Sequence, residues 1–164
     1  GIVKNQSFVN EPWRYDQGTL GYNYRMTDLQ ASIGLVQLTK LQKFIRIRKS
    51  LYQQYVDRLR ISSRIGFQTI NIDHSAHHLM VIRVPAQLRL QLYNELRLRG
   101  IGVQVHYLPL YEHSYYKQLG IGRDELFPNA AKYYDETITL PLHGNLEASE
   151  VDTVCDNVLQ VIDA

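Results

Sequence analysis

Two short segments carry side chains whose types and spacing suit binding chemistry. In the first, Asn23 and Arg25 follow Gly21 in a turn that leads directly into a run with helical periodicity. A helix N-terminus offers unpaired N–H groups and the positive end of a dipole, both of which favour an anion. Arginine adds a planar fork matched to phosphate or carboxylate. The pair reads as a phosphate or diphosphate site; it also reads as a turn asparagine beside an arginine paired with a surface acid. In the second segment, alternation over residues 102–107 predicts a strand. Gln104 and His106 then share one face, with Val103, Val105 and Tyr107 on the other. The loop beyond Pro109 adds Tyr111, His113, Tyr115 and Tyr116. Rings stack on bases and sugar faces, and polar tips bind hydroxyls, so this strand end suits a sugar or nucleotide. A wet subunit interface would use the same residues.

Other chemistries lack support. His106 and His113 straddle a proline, and His77 and His78 are adjacent, with no cysteine or carboxylate at metal-ligand spacing, so no metal site is expected. Cys155 falls on the apolar face of the last periodic segment and reads as core. Phosphate-loop, dinucleotide and nucleophile-elbow motifs are missing. Residues 40–64 hold eight basic residues and one acid, Asp57. The bases are spread around a helix instead of forming a stripe, which favours a solvated face over nucleic acid.

The elements that must position these residues follow from pattern. The chain has 164 residues, 45% hydrophobic and 21% charged, with net charge +2, a composition ordinary for one globular domain. A single cysteine excludes an internal disulfide framework and fits a reducing, cytoplasmic setting. No apolar run nears the roughly 20 residues of a membrane span. Twelve tyrosines against four phenylalanines suit clefts and interfaces. The first residue is Gly1, not methionine, which fits a piece of a longer protein.

Residues 1–26 read as an irregular arm. Thr27 and Gln30 have the capping-box spacing. Leu29, Ile33, Val36, Leu41, Phe44, Ile45, Leu51, Tyr52, Tyr55 and Leu59 then fall on one arc of a long connecting helix, 27–60. Gly34 weakens its middle by about 1 kcal/mol relative to alanine. Residues 61–164 read as a small domain: an edge strand in 66–72, a strand 78–84 ended by Pro85, and a helix 86–99 stopped by Gly100. The strand 102–107 and an aromatic loop follow, then a helix opened by Pro128, a strand Thr137–Leu140 and a closing helix with Val151, Val154, Cys155, Val158, Leu159 and Ile162 on one face. The expected fold is α+β, a three- to four-stranded sheet with helices covering one face.

These motifs together resemble a known family. The segment from Gly21 through Asn23, Arg25 and Thr27 to Gly34, the run Gly100 to Tyr107 with Pro109, Tyr115 and Tyr116, the group Leu140, Pro141, Leu142 and His143, and finally Glu150 and Val151 are similar to the second half of the DegT/DnrJ/EryC1/StrS sugar-nucleotide aminotransferases. Within it, residues 104–111 and 140–146 most resemble the 4-aminotransferases of pseudaminic acid synthesis.

The resemblance implies the small domain of a fold-type I enzyme that uses pyridoxal 5'-phosphate. Such an enzyme moves an amino group, usually from glutamate, onto a nucleotide-linked keto-sugar, in a homodimer with shared active sites. It implies that Asn23 reaches toward the cofactor phosphate and the substrate of the partner subunit. Gln104, Val105, His106 and Tyr107 would line the sugar-nucleotide site, with Arg25 and Tyr111 beside it. One departure matters. The family's cofactor-attaching lysine precedes a strand rich in threonine and glycine, and none of Lys4, Lys40, Lys43, Lys49, Lys117 and Lys132 has that context. The expectation is therefore a C-terminal half, with no catalytic residue of its own and inactive alone. It would pair with itself or with a separate N-terminal half, and the cofactor would be held mainly by that half. The alternatives are a non-catalytic interaction module, or a lysine-less dehydratase-type relative.

Overall fold

The computed structural model describes residues 2–3, 13, 16–22, 24–120 and 127–164, with backbone only at 2–3. They form two compact units, residues 1–40 and 41–164. The elements run β1 (Ile2–Val3), β2 (Asp16–Gln17), α1 (Asp28–Leu59), β3 (Gly66–Phe67), β4 (Met80–Arg83), α2 (Ala86–Leu98), α3 (Ser114–Lys117), α4 (Pro128–Glu136), β5 (Thr137–Leu140) and α5 (Ala148–Ile162).

In the first unit β1 and β2 pair antiparallel over two residues, too short a ladder for any periodicity to reveal. The start of α1 has the predicted cap. The Gln30 amide donates to Thr27 Oγ1 at 3.3 Å, and the Thr27 amide donates to Gln30 Oε1 at 2.9 Å. Leu29, Ile33 and Val36, whose spacing marks a helix face meant for burial, are exposed here, Leu29 by 72%. Leu20, Tyr22, Tyr24 and Met26 are exposed beside them in sequence, and the Tyr22 and Tyr24 rings stack at 5.6 Å.

The second unit owns the core. Its sheet has the order β3-β4-β5, all antiparallel. The register sets Met80 opposite Leu140 and Ile82 opposite Ile138. These four side chains share one core with Tyr55 and Leu59 of α1, Leu92 and Leu96 of α2, and Val151, Cys155, Val158 and Ile162 of α5. Fully burying each such aliphatic chain contributes about 1.5–3 kcal/mol. Alternation sends Val81, Thr137 and Thr139 to the opposite face, where they are also buried but outside that core. The fold is α+β, with helices on the core face of a three-stranded sheet.

Local chemistry explains the element ends. Pro85 precedes α2, and Gly100, at φ +79°, closes it. The Ile101 amide donates to the Leu96 carbonyl at 2.9 Å and the Gly100 amide to Arg97 at 3.1 Å, the paired bonds of a Schellman motif. Glu147 and Glu150 form a reciprocal capping box at the start of α5. Tyr55, fully buried, donates its hydroxyl to the Pro141 carbonyl at 2.9 Å and so fastens the chain leaving β5 to α1. Burial pushes the Tyr55 hydroxyl well above the usual tyrosine range.

The predicted strand 102–107 is the main difference. Only Gln104 pairs, giving and taking one backbone bond with Thr139, at 3.2 and 2.7 Å. Continuing that register would place Gly102 against Pro141, which has no N–H to give. At the other end, His106 would meet Thr137, where β5 emerges directly from α4. The side-chain alternation still holds where it matters: Val103 is buried in the core and Gln104 is exposed.

Candidate functional site

The bridge at Gln104 gathers several polar and aromatic side chains at the edge of the sheet. Residues directly opposite in an antiparallel pair share a face, so Gln104 lies over Thr139 on the side away from the core. His106, two residues on, returns to that side, and its Nδ1 lies 2.9 Å from Thr139 Oγ1. The threonine hydroxyl thus orients the imidazole. Among the described residues no protein group bonds His106 Nε2, which leaves it for a ligand. Gln104 Oε1 accepts from the Val105 amide at 3.0 Å, which fixes the carboxamide and leaves its NH2 group to donate. Tyr107 is 75% exposed, and its ring meets the edge of His106 at 4.7 Å.

Tyr111 is buried, and its ring stacks on Phe127 at 5.2 Å, nearly parallel. Its hydroxyl is enclosed without a hydrogen-bond partner. An enclosed, unpaired hydroxyl costs about 1–3 kcal/mol, which a ligand acceptor would recover. His113 and Tyr115 are exposed, and Tyr115 meets Tyr116 edge-on at 5.3 Å. Val105 lines a cleft of about 340 Å³ with Arg89, Tyr93, Gln104, Leu108 and Tyr134. Arg89 sits over the Tyr134 ring, 5.0 Å from its centre. Sequence reasoning missed Arg89, Tyr93 and Thr139. The spacing of Arg89 and Tyr93, one turn apart on a helix, was a usable signal; the role of Thr139 depends on a pairing no pattern reveals.

Arg25, in the first unit, is exposed and has an interaction partner. Asn23 lies outside the described residues. Thus Gln104, Val105, His106 and Tyr107 come together on one sheet edge of the second unit, Tyr111 follows in the same loop, and Arg25 belongs to the first unit.

Among the described residues there is no cluster able to hold a metal ion and no helix long and apolar enough to cross a membrane. His77 is buried, with its Nε2 3.0 Å from the Ile72 carbonyl and its ring against Tyr52 at 4.7 Å, a packing role. Cys155 is fully buried, and desolvation pushes its thiol up to about 12. The described lysines do not suit covalent attachment of a cofactor, which requires a desolvated amine. Lys40 and Lys43 are exposed, Lys49 pairs with Asp73, Lys117 pairs with Glu112 at 2.9 Å, and Lys132 faces Glu136. The groups gathered at the sheet edge are of types that hydrogen-bond to, stack on and orient a ligand.

The fold is that of a small α+β domain that presents an imidazole, an amide and rings at a sheet edge. Residues 2–159 match the DegT/DnrJ/EryC1/StrS aminotransferase family, and the chain belongs to that family. It is 32% identical to the UDP-4-amino-4,6-dideoxy-N-acetyl-beta-L-altrosamine transaminase of Campylobacter jejuni over 99% of this chain and 43% of that protein. It is 31% identical to the spore coat polysaccharide biosynthesis protein SpsC of Bacillus subtilis over 96% of this chain and 42% of that protein. In structure it is similar to a Streptococcus pneumoniae protein assigned as a sugar aminotransferase, in its PMP form. The TM-score is 0.82 at 32% identity, covering 99% of this chain and 42% of that one. The chain therefore spans less than half the length of the relatives it matches.

Proposed function

We propose that this chain is the C-terminal part of a pyridoxal-phosphate-dependent aminotransferase that transfers an amino group, from glutamate, to a nucleotide-linked keto-sugar in amino-sugar synthesis. The observation that carries this reading is the 32% identity with a sugar-nucleotide transaminase across 99% of the chain. In this reading residues 1–26 are an arm, 27–60 a connecting helix and 61–164 the small domain. Gln104, His106 and Tyr107 meet the sugar nucleotide through the free amide, the free Nε2 and the exposed ring. Val105 and Tyr111 shape the wall, and Arg25 supplies charge for the diphosphate. Asn23 reaches the cofactor phosphate of a partner subunit. Pyridoxal phosphate is held mainly by an N-terminal half, because the described lysines here are exposed or ion-paired.

The protein works in the cytoplasm as a homodimer with shared active sites, or as a complex with a separate N-terminal half. The exposed Leu29, Ile33 and Val36 support this, since apolar surface of that kind marks an interface. The test is turnover by the full-length protein supplied with pyridoxal phosphate, glutamate and a UDP-linked 4-keto-sugar. One 2-oxoglutarate should appear per amino-sugar formed, and the isolated 164-residue chain should form none. Full-length protein that transfers no amino group to any nucleotide-linked keto-sugar would overturn the activity. Turnover by the isolated chain would overturn its dependence on the N-terminal half.

A further inference from the structure

The segment Pro141, Leu142, His143, Gly144 and Asn145, distinctive in the sequence, takes no part in the site above. It leaves β5 and crosses α1, held at two points. The Tyr55 hydroxyl bonds the Pro141 carbonyl at 2.9 Å. Farther along, the Phe44 ring edge lies only 3.0 Å from where a side chain on Gly144 would begin. A side chain there would fit only if the ring or the loop gave way by a few tenths of an ångström. Arg48 lies one turn beyond Phe44 on α1, so both side chains fall on the same helix face. Phe44, Arg48, His143, Gly144 and Asn145 together line a pocket of about 270 Å³.

Arg48 is the anomaly in this pocket. It is half-buried, its Nε is fully enclosed, and that Nε has no hydrogen-bond partner. Several arginines of this unit meet acids: Arg58 pairs with Asp152 and Asp156, Arg83 with Glu136, and Arg99 with Glu95. No carboxylate pairs with Arg48 among the described residues. An enclosed guanidinium N–H without an acceptor is costly, and a bidentate oxyanion is its best-matched partner. His143 and Asn145 add further polar groups at the rim, both exposed. The pocket is small. Its size of about 270 Å³ suits a small hydrated anion.

We infer that Arg48, His143 and Asn145 form a binding site for a small oxyanion, a carboxylate or phosphate group, outside the sugar-nucleotide surface. This does not rest on the aminotransferase reading. The test is an NMR titration of the full-length protein, saturated with pyridoxal phosphate so that the cofactor's own phosphate site is closed. Inorganic phosphate and succinate are the probes, at ionic strength fixed with chloride. Phosphate or succinate should shift the Gly144 and Asn145 amides and the Arg48 Nε–H signal saturably, and chloride should not. Arg48→Met should weaken the affinity about 10- to 100-fold, as expected for losing a charge-assisted pair. Arg48→Lys, which keeps the charge and loses the fork, should fall between the two. An unchanged response in Arg48→Met would overturn the site. So would a wild-type protein indifferent to both anions whose melting temperature drops on Arg48→Met, because a carboxylate of the protein itself would then occupy the fork.

Discussion

The two faces of the three-stranded sheet are made from alternate residues of the same strands, and they do different work. On one face Met80, Ile82, Ile138 and Leu140 meet three helices in a core whose fully buried hydroxyl, that of Tyr55, is bonded to the Pro141 carbonyl. On the other, Thr139 holds His106, Gln104 bridges the edge, and the Thr137 hydroxyl is enclosed without a partner. The first face is saturated; the second keeps hydrogen-bonding capacity in reserve. Changes on the core face should therefore read out as stability, and changes on the polar face as binding. Each prediction below could break that separation.

The largest effect belongs to Cys155, deep on the core side of α5. Its thiol is enclosed and pushed up to about 12 by desolvation, so native protein should resist a thiol-specific reagent. Against denatured protein at pH 8 the modification rate should fall at least about 10³-fold, since reaction requires global opening. The pH dependence has a definite sign. The unfolded thiol ionises near pH 8.5, so between there and about 12 the unfolded chain holds fewer protons than the folded one. Stability then falls as pH rises through that window. Cys155→Ala should flatten this part of a stability–pH curve. Rapid native labelling would show that the core face is open to solvent.

Next comes Ile138→Ala. Ile138 is fully buried opposite Ile82, and its truncation removes apolar contact and leaves a cavity, costing about 2–5 kcal/mol in chemical denaturation. Ligand affinity of the fraction that remains folded should be unchanged. A selective loss of binding with little loss of stability would mean that the two faces are coupled.

What the sequence made legible was whatever depends on near neighbours. The capping box of Thr27 and Gln30, the stop at Gly100, the proline that opens α4 and the apolar stripe of α5 all depend on residues within a turn or two. The strand expected at 102–107 failed because alternation reports burial, whereas a ladder needs a partner with N–H groups. Its partner strand ends at Pro141. Thr139 as the orienter of His106, and Arg48 beneath Gly144, join residues 33 and 96 positions apart, and such distant contacts leave no periodic trace. The apolar arc of α1 shows the reverse. Its period is that of the helix, yet Leu29, Ile33 and Val36 lie exposed, since period tells that a face seeks cover but not what covers it.

Thr139→Val isolates the polar face. Valine keeps the shape and the branched side chain that a strand favours, and it removes only the hydroxyl that holds His106 Nδ1. The stability change should stay under about 1.5 kcal/mol. The imidazole would lose its fixed orientation, and affinity for a nucleotide-linked sugar, measured by calorimetry on the full-length protein, should fall about 10-fold, equivalent to roughly 1.4 kcal/mol. Equal affinity in the variant would remove His106 from the binding surface.

The smallest expected effect is the most discriminating. Gln104 holds the sheet edge through its backbone, while its exposed side chain bonds only the neighbouring Val105 amide among the described residues. Gln104→Ala keeps both backbone bonds to Thr139 and should move stability by no more than about 0.5 kcal/mol, as for an ordinary surface change. It removes the carboxamide donor, so sugar-nucleotide affinity should drop a few-fold, a single neutral hydrogen bond contributing about 0.5–1.5 kcal/mol. Gln104→Glu preserves size but replaces the donor with a negative charge, which would repel a diphosphate. Its loss of affinity should exceed that of alanine and shrink as salt is added. If alanine and glutamate behave alike, the amide is only a structural edge and the ligand lies elsewhere. If glutamate is the worse of the two and its penalty is screened by salt, an anionic ligand passes along this face, and the exposed edge of the sheet is where binding begins.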